Sequence, residues 1–296
     1  MRGAALFCSL LLAAAAPAWA DTCPPQGIDA GSLQRLKQQK FAIDGTATRN
    51  ALALGLLDCL SDPDPALRDG IAYGALAQWM RGEQLDAATR RQLRDRLQAM
   101  LKEPDANGFR RPFSALVLSE VARTDRIAPW MSPQERAAMV AAAADYLASV
   151  RDYRGYDDAQ GWRHGVAHGS DWLMQLALNP ALERTHLDPM LKAIASQAVP
   201  ESAHAYVYGE PGRLARPVLY LARHGWLSEA EWIAWFGGLP ARIGDPAKAY
   251  ADTAWLARRH DLLAFLTAIH LEADQSDDAQ IKALKRPVAM AMKSVP

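Results

Sequence analysis

The stretch from Tyr153 to Leu173, YRGYDDAQGWRHGVAHGSDWL, concentrates side chains that could do chemistry. His164 and His168 stand four apart and Asp171 follows three later, with Tyr153, Arg154, Trp162 and Arg163 close by. On an α-helix, positions i, i+4, i+7 and i+11 fall along one stripe, so His164, His168, Asp171 and Gln175 would face the same way. Asp171, one turn beyond His168, could accept a hydrogen bond from that imidazole and fix its tautomer.

Three readings of the stripe compete. In the first, His164 and His168 bind a divalent metal, because histidines at i and i+4 share a helix face. Gly165 stands where the H-E-x-x-H motif has its glutamate. Asp171 lies roughly 10 Å from His164 along the axis, so further ligands must come from another helix. His186, His204 and His224 are candidates. In the second reading the stripe lines a pocket for a small anionic ligand. A helix N-terminus offers unpaired amides and partial positive charge, with Arg154 and Arg163 nearby and Trp162 and His164 at the mouth. In the third, the imidazoles and Asp171 form an internal network that bridges a loop to the helix.

These residues need elements to position them. Helical signals stop near Arg151 and resume at Trp162, so DYRGYDDAQG reads as a loop and WRHGVAHGSDWLMQLAL as a helix. Gly165 and Gly169 form a small-residue seam on that helix, which suits close approach by another helix or a ligand. Elsewhere Asp64-Pro65, Asp188-Pro189 and Asp245-Pro246 place a capping acid before proline, and Ser132 to Glu135 and Ser228 to Glu231 are capping boxes. Gly82, Gly225 and Gly237-Gly238 supply stops. Strand signals are nearly absent; only AHAYVYG, from 203 to 209, alternates.

The helices pair. Hairpins begin near Asp64, Arg110, Gly161 and Pro211, close to the period of about 40–47 residues found in HEAT and armadillo stacks. The fold class is therefore all-α, a single stack of helical hairpins over residues 21–296, with a compact α/α bundle or toroid as the alternative. The irregular stretch from 197 to 212 is the best place for a bend.

The first twenty residues read as a cleaved signal peptide. Arg2 is the basic start, Ala4 to Ala16 the apolar run, and Ala18-Trp19-Ala20 the cleavage site. The chain is then exported, and periplasmic where the host has an outer membrane. Cys8 falls inside the leader. Cys23 and Cys59 remain and are expected to form a disulfide, which oxidising compartments permit. With 33 basic and 33 acidic residues, nothing argues for nucleic acid, and no later run is apolar enough for membrane insertion.

Other motifs carry less. Trp232, Trp235 and Phe236 at helical spacing suit core packing better than a sugar platform. Asp157-Asp158 has no identifiable partner carboxylate for glycoside hydrolysis, and Ser114 lacks a nucleophile elbow.

The central stretch resembles the signature of the bacterial family known as domain of unknown function 2785. The shared residues are Asp152, Arg154, Gly155, Gly161, Trp162, His164, Ala167, His168 and Asp171. RRPFSALVLSEVARTD and DPALRDGIAYGALAQWM are similar to family segments too, although Pro112 and Gly165 depart from the pattern. The resemblance spans roughly residues 55 to 240 and implies a helical-repeat fold without an agreed activity.

The expected role is binding or scaffolding, with a small anionic ligand or a protein partner received by a concave helical face. The pocket centres on Tyr153, Arg154, Trp162, His164, His168 and Asp171. The alternative is a hydrolase acting on a small or cell-wall-derived substrate, with His164 or His168 as base or metal ligand and Asp171 as orienting acid. No cofactor is expected outside the metal reading.

Overall fold

The computed structural model describes residues 23–296; the expected leader, with Arg2 and Cys8, lies outside them. Two helices open the described chain, α1 (Ala30–Gln38) and α2 (Thr46–Gly55). The Cys23–Cys59 disulfide has formed, with Cα atoms 4.9 Å apart, and ties the tail to the turn after α2.

Hairpins follow. α3 (Pro65–Leu67), a π-helical turn (Arg68–Tyr73) and α4 (Gly74–Arg81) run without a break and return through α5 (Ala87–Met100). α6 (Arg110–Ile127) returns through α7 (Pro133–Ser149). A two-residue-per-strand ribbon, β1 (Tyr156–Asp157) and β2 (Gly161–Trp162), leads into α8 (Gly165–Ala177) and α9 (Leu187–Ala198). Next come α10 (Glu210–Ala222) and α11 (Glu229–Gly237), then α12 (Thr253–Gln275), α13 (Ala279–Lys282) and α14 (Lys285–Ser294). First helices pack on first helices: α4 on α6, α6 on α8, α8 on α10, α10 on α12. α7 packs on α9, and α14 closes over α11 and α12. The architecture is thus all-α, with sequential, solenoid-like packing. Hairpins begin at Pro65, Arg110, Gly165 and Glu210, within four residues of the starts expected.

Local chemistry explains most boundaries. Asp64 caps the Ala66 amide, and both serine capping boxes are closed, Ser132 with Glu135 and Ser228 with Glu231. Such caps satisfy amides that have no partner within the helix. Two expected starts differ. Asp188 lies inside the first turn of α9, because Glu183 and His186 close the preceding 3-10 turn reciprocally. Asp245-Pro246 starts only the 3-10 turn Pro246–Lys248. The alternating segment from 203 to 209 forms no strand; its backbone is irregular where α9 turns to α10.

The core runs through the whole stack, with Trp79, Trp172, Trp255 and Phe265 fully buried. Trp232 and Phe236 are buried and pack with Trp235, as core residues do. One polar cluster lies in this core. Asp125 accepts from the Trp130 and Met131 amides, from Arg136 Nε at 3.0 Å and from Asn179 Nδ2 at 2.9 Å. Among the described residues no helix is long and apolar enough to cross a membrane.

Candidate functional site

The central motif departs from the expected loop-then-helix at one point. Trp162 is not helical. It pairs with Tyr156 across the ribbon, while Asp157 pairs with Gly161. The Asp157 carboxylate stabilises the turn by accepting from the Ala159 and Gln160 amides. Two further backbone bonds continue the pairing, Arg163 N to Gly155 O at 2.9 Å and His164 N to Arg154 O at 3.1 Å. The helix starts only at Gly165, because His164 sits in the left-handed region, at φ 56° and ψ 41°. That conformation is uncommon for a residue with a side chain. It turns the chain sharply from ribbon into α8 and sets the direction of the His164 ring.

Arg68 anchors the ribbon from below. Its side chain is fully buried, donates to the Gln160 and Asp62 carbonyls, and lies 4.0 Å from the Phe109 ring centroid. Gly161, at φ +72°, leaves room for it; a Cβ there would stand 3.1 Å from Arg68 Nη2. Arg68 begins the π-helical turn, a local widening that recurs at functional sites. The glycine seam is filled by α7: a Cβ on Gly169 would meet Leu147 and the Tyr146 ring at 3.1 Å. The close neighbour is a helix.

His164, His168 and Asp171 are all buried, each retaining only 7–8% exposure, but the expected bond from His168 to Asp171 is not made: His168 turns to the Pro112 carbonyl and Asp171 to Arg213. The two imidazole centroids are 5.8 Å apart. Trp162 stacks on His164 at 4.6 Å, and Phe113 meets His168 edge-on at 5.3 Å. His168 Nδ1 lies 3.2 Å from the Pro112 carbonyl. A carbonyl only accepts, so that nitrogen carries the proton and Nε2 carries the lone pair. His164 Nε2 is buried without a hydrogen-bond partner and lies 3.7 Å from Glu210 Oε1. Asp171 Oδ2 accepts from Arg213 Nη1, whereas its Oδ1 is buried without a partner. Tyr73 and Arg81 flank the group through Glu120, which Arg81 Nε meets at 3.0 Å.

Electrostatics follow from burial. Desolvation, with the Arg213 charge adding, lowers the His164 pKa to about 4. Desolvation, helped by His164 and Arg213, lowers that of His168 to about 3. Both rings are neutral at neutral pH. Burial raises Asp171 above the usual aspartate value, and Arg213 opposes it. Burial likewise raises Glu210. Tyr73 is pushed up to about 12 by burial and by Glu120. The result is a pair of neutral imidazoles beside carboxyls held above their usual pKa, bordered by the guanidiniums of Arg213 and Arg81.

The other two expected pocket residues lie elsewhere. Arg154 turns to Asp152, with Nε 2.9 Å from its carboxylate. Tyr153 stacks on His204 at 5.5 Å. Both line an outer cleft of about 400 Å³ together with Tyr156, Asp157 and Tyr208. Gln175 points to α6, where Arg126 donates to it at 3.2 Å. Sequence reasoning missed Glu210, Arg213 and Tyr208. The available signal was Gly209-Glu210-Pro211, an acid before proline at a helix start of the kind read elsewhere. Among the described residues no group of three or more His, Cys, Asp or Glu side chains is placed to hold a metal ion.

Residues 97–271 match the family described as a protein of unknown function, DUF2785. The matched stretch carries His164, His168, Asp171, Glu210 and Arg213, while Arg68, Tyr73 and Arg81 precede it. No curated protein and no solved structure matches the chain.

Proposed function

The chain belongs to the DUF2785 family, and we propose that it works by binding a small ligand at the junction of α4, α6, α8 and α10. One observation carries this reading: His164 Nε2 and Asp171 Oδ1 are buried acceptors without partners. Buried polar atoms are nearly always satisfied, and an orphan costs roughly 1–3 kcal/mol. Two such atoms, one on the residue that precedes α8 and one on its inner face, argue for a group that arrives from outside and donates to both. An anionic part of the same ligand would meet Arg213 and Arg81, whose side chains remain 38% and 55% exposed. The helical-repeat frame supplies the receiving face. Export is part of the proposal, supported by the leader-like first twenty residues and by the disulfide.

A hydrolase is the second reading, favoured by one contact. The neutral His164 faces Glu210, a carboxyl with raised pKa, at 3.7 Å. A lone pair opposite an acid is the arrangement that general acid–base chemistry uses. A divalent metal would use the same two Nε2 lone pairs, with its remaining ligands taken from the bound molecule or water.

Thermal melting of residues 21–296 tests the binding role. The probes are acetate, phosphate, glycine, glucosamine and zinc, each added to wild type, His164→Ala and Asp171→Ala. A rise of about 2 °C or more with one probe, absent in both variants, is expected. If no probe shifts the wild type and both variants melt several degrees lower, the cluster is structural and the proposal fails.

A further inference from the structure

The outer cleft is separate from the inner site and raises its own question. It lies between the ribbon and the irregular segment before α10, and Tyr153, Tyr156, Asp157, His204 and Tyr208 line it around Gly155. Two tyrosines from different segments are left in the open: Tyr156 is 46% exposed and Tyr208 38%. Isolated exposed aromatics are ordinary, but these are fixed. Tyr156 packs against Trp162 at 5.1 Å, and Tyr208 meets Trp162 edge-on at 5.9 Å and bonds the Tyr156 carbonyl at 3.4 Å.

Gly155 shows that the placement of Tyr208 is built in. A Cβ on Gly155 would stand 2.0 Å from the Tyr208 ring, so the ring lies directly on bare backbone. Gly209, at φ +87°, makes the turn that carries Tyr208 there. On the opposite wall, Tyr153 and His204 are stacked at an interplanar angle of 12°. Aromatic rings from both the 153–156 and the 204–208 segments thus line the cleft.

Its polar lining joins the Asp157 carboxylate and the His204 ring to two guanidiniums. His204 Nε2 is buried without a partner. Asp157 uses one oxygen, Oδ1, for both turn amides. The guanidiniums are engaged, Arg154 by Asp152 and Arg163 by the Asn107 carbonyl and Gln160. A phosphate or carboxylate would meet Arg154 beside the Asp152 carboxylate that already pairs it. A neutral ring that is apolar on its faces and rich in hydroxyl donors at its edge fits without breaking that pair.

We propose that this cleft binds a neutral pyranose ring of a glycan, stacked on Tyr156 and Tyr208 and donating a hydroxyl hydrogen bond to Asp157. The volume, about 400 Å³, lies within the range of small-molecule sites and suits one or two sugar rings. The proposal does not depend on the inner site.

Calorimetric titration of residues 21–296 with cellotriose, maltotriose and chitotriose tests it. At least one should bind with millimolar or tighter affinity. Tyr156→Ala should weaken that binding about tenfold, the loss expected for one stacked ring. Asp157→Asn keeps an oxygen for the turn amides and should weaken binding several-fold. Melting curves confirm that both variants are folded. Failure of all three sugars to bind, or binding that neither substitution weakens in folded protein, overturns the proposal.

Discussion

Asp125 and Asp171 are both buried aspartates in first helices of neighbouring hairpins, and their surroundings differ in kind. Around Asp125 the accounting is complete: two amides, one guanidinium and one side-chain amide donate to its two oxygens. Burial pushes its pKa up, but the Met131 amide, Arg136 and the Trp130 amide outweigh that and hold it below the usual value. Around Asp171 one half-exposed arginine serves one oxygen, the other oxygen has nothing, and burial wins. The same residue type is thus shifted in opposite directions. A buried carboxylate that is fully bonded holds a fold together. The one left short of donors is the one to which the proposed ligand would donate.

The largest effect should come from breaking the satisfied cluster. Asp125→Ala leaves buried Arg136 and Asn179 without their acceptor and should cost about 3–5 kcal/mol in urea unfolding. Next in size is the pH dependence from the unsatisfied side. The unfolded chain protonates its histidines near the ordinary value of 6.5, while native His164 holds off until about 4 and His168 until about 3. Stability from these rings is complete above about pH 6.5 and is lost as pH falls toward their native values. For His164 the loss is of the order of 3 kcal/mol, and His164→Gln should remove its share of the acid limb while leaving that of His168.

Asp171 acts with the opposite sign. Its raised native pKa means that ionisation costs stability as pH rises through that value, whereas the Asp125 contribution is lost as pH falls below 3.8. Arg213→Ala should therefore cost only about 1 kcal/mol at neutral pH, because Arg213 is partly exposed and Asp171 takes up a proton more readily without it. Smallest of all, Tyr156→Ala should change stability by less than about 0.5 kcal/mol, since its ring is open to solvent. Equal losses from Asp125→Ala and Arg213→Ala would erase the contrast between the clusters.

What was legible in the sequence was local. The hairpin starts, the serine capping boxes and the disulfide each depend on a few neighbouring residues or on one pairing choice. The grouping of His164, His168 and Asp171 was legible because four- and three-residue steps along a chain stay close in space. Trp162 was misread as helical because nothing local announces that His164 takes a left-handed backbone. That conformation is sustained by the ribbon pairing and by Arg68, whose contact with Gln160 spans 92 residues. Arg213 reaches Asp171 across 42 residues and Glu210 reaches His164 from the next hairpin. Such partners depend on how hairpins stack, which helical periodicity leaves open. The placing of Tyr153 and Arg154 with the stripe failed for the same reason: chain proximity did not reveal that Arg154 turns to Asp152 and Tyr153 stacks on His204.

The account rests on two buried, neutral imidazoles that hold their protons on Nδ1. Nitrogen-detected NMR of the histidine rings across a pH titration measures this directly. The account predicts the Nδ1-protonated tautomer for both His164 and His168, with pKa values of about 4 and about 3. Ordinary values near 6.5, or a proton found on either Nε2 at neutral pH, would contradict it.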